Sequence, residues 1–210
     1  MGFKGQADVI TAVIIILLAA TLTTSAYLWG MPLVQKRQEV AMVEKVASYF
    51  DRDNANSLVK KIEFVARNGG EETFNSEVDG IWQLYPYDYP GPQNNSLEFM
   101  FRSKVTNIAP ELGWIPFKTS SIISPGYVGI DEATVVLAKA ESSDNAFIIR
   151  YRIWLRNLTE DGKIYQTRLL PRNPSYNAST GKSIRISRIT EPKFDPTNNL
   201  IITEVQILLG

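Results

Sequence analysis

Val9–Leu28 reads VITAVIIILLAATLTTSAYL, twenty residues without a charge. Wound as a helix at about 1.5 Å per residue, the run is roughly 30 Å long, which matches the hydrocarbon core of a bilayer. Its Ile, Val and Leu residues each favour insertion by about 0.3 to 0.6 kcal/mol. The Thr and Ser hydroxyls can return a hydrogen bond to carbonyls of their own helix. Apolar side chains occupy every face, whereas a soluble helix of this size keeps a polar stripe. Tyr27 and Trp29 stand at the far end, where amphipathic rings favour the headgroup level. The stretch predicts one membrane span. The competing reading is a cleaved secretory signal, with Lys4 as the charged start and Thr24-Ser25-Ala26 as the cleavage site. Against it, the run exceeds the roughly 7 to 15 apolar residues of such signals, and the helical pattern continues past the candidate site.

Beyond the span, Pro32 is expected to kink or restart the helix, because it removes one helical hydrogen bond. Val40, Val43, Val46, Ala47 and Phe50 then recur at helical spacing, while Lys36, Arg37, Gln38, Glu39, Glu44 and Lys45 supply a solvated side. This stem must lie against something, either the remainder of its own chain or the helix of a neighbouring subunit. After Asp51–Asn56, Asn56 is expected to cap a second helical stretch carrying Leu58, Val59, Ile62 and Val65, which Asn68-Gly69-Gly70 ends.

Beyond Gly70 the period changes to two. Phe147, Ile149, Tyr151, Ile153 and Leu155 alternate with Ile148, Arg150, Arg152, Trp154 and Arg156, a long strand with one apolar face. Asp161-Gly162 then signals a β-hairpin turn into 164–170. Further strands are expected near 81–85, 97–105, 133–140, 183–189 and 200–209. The fold class read from this pattern is α+β: a long N-terminal hydrophobic and amphipathic helix followed by an antiparallel β-sandwich-like domain. The expected organisation is a leader over 1–5, a transmembrane or filament-core helix over 6–30, a helical stem over 31–70 and a β-rich domain over 71–210.

The 210-residue chain balances 22 basic against 22 acidic residues, so no overall basic field favours nucleic acid as a partner. It has no cysteine and no histidine, which removes disulfides, thiolate zinc sites, thiol nucleophiles, the commonest general base and the commonest metal ligand. No metal or cofactor is expected. The Asp51–Asn56 run lacks the turn glycine of a calcium loop and places Ile62 where its bidentate glutamate belongs. Gly181-Lys182-Ser183 lacks the first glycine and the following helix of a phosphate loop. The acid pairs Glu71-Glu72 and Asp131-Glu132 read as solvated turns, since adjacent strand residues face opposite ways. A surface hydrolase would require two acids across a cleft, roughly 5 to 9.5 Å apart. The Tyr85–Pro92 loop reads as a proline-stiffened connection or a tyrosine contact patch. Sequons at Asn94, Asn157 and Asn177 are candidate glycosylation sites.

Met1-Gly2-Phe3-Lys4-Gly5-Gln6-Ala7-Asp8 precedes the apolar run. With that run, it resembles the archaeal type IV pilin superfamily, in which a short basic leader ends in Lys-Gly or Arg-Gly and a membrane peptidase cuts after the glycine. The resemblance covers about the first forty residues. It implies a cut between Gly5 and Gln6, Lys4 as the leader charge, and a leader peptidase as a partner. Many pilins carry a glutamate at the fifth mature position; Ile10 stands there in this chain. Asp8 is the candidate for that inter-subunit charge, its plainer role being a helix-start charge that complements the dipole. Ile10, Val13, Ile14, Leu17 and Leu18 are the candidate helix-packing residues.

The implied function is non-enzymatic: a structural subunit of a surface filament, held by membrane lipid before assembly and then by its own copies. The alternative is a membrane-anchored β-sandwich accessory that never polymerises, similar to the stator-like proteins of the archaellum or a contact to the surface layer. Lys4 before the span and Lys36 and Arg37 after it do not by themselves favour an external C-terminus. The resemblance and the sequons place the β-domain outside the cell.

Overall fold

The computed structural model describes residues 3–119, 121–175 and 177–210, with side chains from residue 9 onward. The chain divides into two units, Met1–Ala41 and Met42–Gly210. Helix α1 (Phe3–Tyr49) is one continuous element with Pro32 inside it, so Pro32 does not end the helix and no restart occurs. Asn54 Nδ2 donates to Ser48 O at 3.1 Å and closes its C-terminus.

Helix α2 (Leu58–Asn68) buries Leu58, Val59, Ile62 and Val65. Its N-cap is Ser57, whose Oγ accepts from Lys60 N, and not Asn56. The Asn56 N–H is bound by Asn54 Oδ1 in a local turn that precedes the helix, and Ser57 is the residue placed one before its first turn. At the other end Gly69 takes φ +78, the left-handed conformation that glycine adopts without strain.

Thirteen strands follow among the described residues. The six-stranded sheet runs in the order β10 (Ala178–Ser179), β2 (Ile81–Tyr85), β3 (Ser96–Ser103), β7 (Ala146–Leu155), β6 (Thr134–Ser143), β4 (Ile115–Pro116). All its pairings are antiparallel. The seven-stranded sheet runs β1 (Gly70–Asn75), β11 (Ser183–Arg188), β13 (Leu200–Leu209), β9 (Lys163–Pro171), β8 (Leu158–Glu160), β5 (Gly126–Tyr127), with β12 (Lys193–Asp195) also on β13. This second sheet is mixed and not wholly antiparallel. β13 pairs parallel with β9, and β5 parallel with β8. The cause is topological: β13 turns back from β12 and enters beside β11, where its remaining neighbour already runs in the same direction.

The Asp161-Gly162 turn forms as expected, with φ +49 and +75 between the paired Glu160 and Lys163. Its near arm, however, is the short β8 and not the long strand β7, because the chain changes sheets at Arg156–Asn157. Ile149, Tyr151, Ile153 and Leu155 on the apolar face of β7 are all buried. Both sheets and both helices contribute to one core. At its centre Tyr49 meets Phe74 of β1 edge-on at 5.1 Å and Phe50 stacks on Tyr151 of β7 at 4.9 Å, so two consecutive residues at the end of α1 touch both sheets. The residues Val43–Phe50 thus pack on their own domain, the first of the two partners open to the stem.

Candidate functional site

The large apolar side chains of Val9–Trp29 are between 49% and 80% exposed, on all sides of a bare helix. Ile10, Val13, Ile14, Leu17 and Leu18 all lie in this exposed run. Thr21 Oγ1 donates to Leu17 O at 2.7 Å and Thr23 Oγ1 to Ala19 O at 2.8 Å. Their hydroxyls are therefore satisfied within the helix, and an apolar surrounding imposes no unpaired donor. Leu17, Thr21, Thr24 and Leu28 line a shallow groove with Ala20 and Ser25 at helical spacing. Small residues in such a stripe allow another helix to approach closely. The segment is long and apolar enough to cross a membrane, a property that membrane anchors share with signal sequences. Lys4, Gly5, Gln6 and Asp8 fall in the first turns of α1; their side chains lie outside the described residues.

In the β-domain, both adjacent acid pairs, Glu71-Glu72 and Asp131-Glu132, are held in ion pairs. Glu71 meets Arg172 and Arg185 at 3.2 Å each, whereas the adjacent Glu72 meets Lys61 of α2 at 2.8 Å, so the two acids face opposite ways. A cleft of about 480 Å³ opens between α2 and residues 128–134. At its edge Arg52 donates to Glu63 at 2.6 Å and to the Thr134 carbonyl at 2.8 Å, while the Thr134 hydroxyl also binds Glu63. Glu132 lies 3.8 Å from Arg52. Among the described residues no three His, Cys, Asp or Glu side chains gather to hold a metal ion.

Several polar residues that the sequence does not single out organise the domain. Asn95 is buried, with φ +57. Its Nδ2 donates to Leu155 O at 3.0 Å and Thr167 O at 2.7 Å, and its Oδ1 accepts from Leu169 N at 2.8 Å, so one side chain ties the two sheets together. Glu98 receives Arg152 at 2.7 Å and Arg150 at 3.2 Å, and Trp114 stacks 4.0 Å from the Arg152 guanidinium. Arg156, with its side chain fully buried, donates to the carbonyls of Ser121, Ile123 and Glu132. In the sequence Arg156 stands with Arg150 and Arg152 on the mixed side of the alternating run, and alternation alone does not say which guanidinium turns inward.

Burial pushes the Tyr151 hydroxyl up to about 12, and the hydroxyl is enclosed without a hydrogen-bond partner among the described residues. Burial also acts to raise Asp51, but the Lys118 ammonium at 2.5 Å and the Asp53 N–H outweigh it and hold the carboxyl below its ordinary value. The sequon residues are each half-buried. Asn94 Nδ2 donates to Tyr87 O at 3.5 Å, and Asn157 Oδ1 accepts from Gln166 at 3.1 Å; Asn177 Oδ1 is enclosed. In the tyrosine loop, Tyr85 meets Tyr89 edge-on at 5.0 Å and Tyr87 lies under Arg168, so these rings pack locally.

No family model, no curated protein and no solved structure matches this chain.

Proposed function

We propose that this chain is a structural subunit of an archaeal type IV pilus-like surface filament that assembles through its N-terminal hydrophobic helix. The observation that carries the reading is the run Val9–Trp29, whose large apolar side chains are exposed on every face of a helix that continues without a loop to Tyr49. Such a helix is stable in lipid as a monomer. Once it leaves lipid, its apolar surface must meet other apolar surface, and copies of the same helix supply it. The short Lys4-Gly5 leader supports removal of residues 1–5 by a membrane peptidase, and the sequons agree with an external β-domain.

The test is electron microscopy of sheared surface material, with mass spectrometry of the subunit and its N-terminus. Filaments built of a chain starting at Gln6 are the expected result. Recovery only from membranes, with Met1 intact, refutes the proposal and leaves a membrane tether.

A further inference from the structure

The loop 121–132 exposes Ile122, Ile123, Tyr127 and Ile130, the last at 79%. The loop is tied at both ends to one buried side chain. Arg156 Nη1 donates to Ser121 O at 3.1 Å and Ile123 O at 2.8 Å, and its Nε donates to Glu132 O at 2.7 Å. Its Nη2 faces Asp131 at 3.3 Å, and Asp131 Oδ2 in turn accepts from Tyr127 N at 2.9 Å. At Gly126 an added Cβ would come within 2.9 Å of Asp131 Cβ, so the loop is closed tightly on itself. A fully buried guanidinium spent on loop carbonyls fixes the backbone that carries the four apolar residues. Such preorganisation lowers the ordering cost of an interface.

We infer that this loop is a lateral contact between copies of the chain, a reading that rests on the proposed filament. Size and charge select the occupant. The four side chains are 53% to 79% exposed, yet four residues fall far short of the roughly 20 to 30 residues a side of a stable pairwise interface. A contact of that size is weak alone and would add to the one proposed for the apolar helices, as in an array. The loop's charged groups are turned inward: Asp131 to Arg156 and Glu132 toward Arg52. No cation is left on it to seek anionic lipid. In a helical array the contact is heterologous, so the loop meets a different surface of its neighbour.

The chain has no cysteine, so Ile130→Cys supplies a unique thiol for a benzophenone label. Full-length labelled chain is irradiated on cells, beside Ile123→Cys as a second loop position and Thr73→Cys as an exposed control on β1. The expected result is a chain-to-chain adduct from both loop positions, several-fold above the control, joined to a peptide outside 121–132. Adducts no stronger than the control, confined to 121–132, or only with lipid overturn the contact. Electron microscopy of the same material separates the two claims. Filaments without the adduct remove the contact alone, whereas the adduct without filaments removes the filament and keeps the contact.

Discussion

Replacing Asn95 by alanine tests whether one side chain holds the two sheets in register with each other. The substitution removes two donors from the carbonyls of Leu155 and Thr167 and one acceptor from the Leu169 N–H. A buried backbone group left without its partner costs about 1 to 3 kcal/mol. Three such losses sum to more than local relaxation leaves in place, and point substitutions above about 5 kcal/mol are exceptional. Alanine at φ +57 adds about 1 kcal/mol, because its Cβ crowds the following carbonyl. The expected destabilisation is about 3 to 5 kcal/mol, a large share of the roughly 5 to 15 kcal/mol of an ordinary domain. Asn95→Gly relieves the backbone term and is expected to lie about 1 kcal/mol closer to the parent. Asn95→Asp turns an acceptor toward two carbonyls and is expected to cost at least as much as alanine. Urea titration of the full chain in detergent, followed by tryptophan fluorescence, reads all three, since Trp82 is buried in the shared core. An alanine variant within 1 kcal/mol of the parent refutes the argument that Asn95 joins the sheets.

Phe50→Ala removes the ring stacked on Tyr151 and is expected to cost about 3 to 5 kcal/mol in the same titration. Gly69→Val meets both φ +78 and the Arg188 Nη2 atom, 2.9 Å from the new Cβ, and also disturbs the Arg188 bond to Ala66 O that closes α2. A loss of about 2 to 4 kcal/mol is expected, with amide exchange accelerated at the last turn of α2. The Asp51–Lys118 pair predicts two limbs in a stability profile against pH. Asp51 is held below its ordinary 3.8, so its contribution is present above about pH 4 and disappears as pH falls through the lower folded value. Lys118 is raised above 10.5 by its bond to Asp51, so its share is complete below about pH 10.5 and is lost as pH climbs through the higher folded value. Lys118→Met is expected to lower the urea midpoint near neutrality and to converge on the parent as pH falls through the lowered folded value of Asp51; parallel curves throughout contradict the pairing.

The sequence by itself determined the elements whose signal is local and periodic. Val9–Leu28 is uncharged over a bilayer's length, the Gly69 stop follows from backbone freedom, and the alternation over 149–155 marks the apolar face that meets the core without any partner. The strands at 81–85 and 200–209 were legible with their limits for the same reason. The tertiary structure decided what depends on residues far apart in the chain. Nothing local marks β1, which has one buried apolar side chain, Phe74, and becomes a strand by pairing with β11 more than a hundred residues later. The parallel entry of β13 beside β9, and the change of sheet at Arg156–Asn157, likewise depend on which edges are open when the strands meet. Asn95 and Arg156 look like surface polar residues in the sequence. They are interior because their partners are backbone groups of distant segments, and hydrogen bonds to backbone leave no side-chain pattern to read.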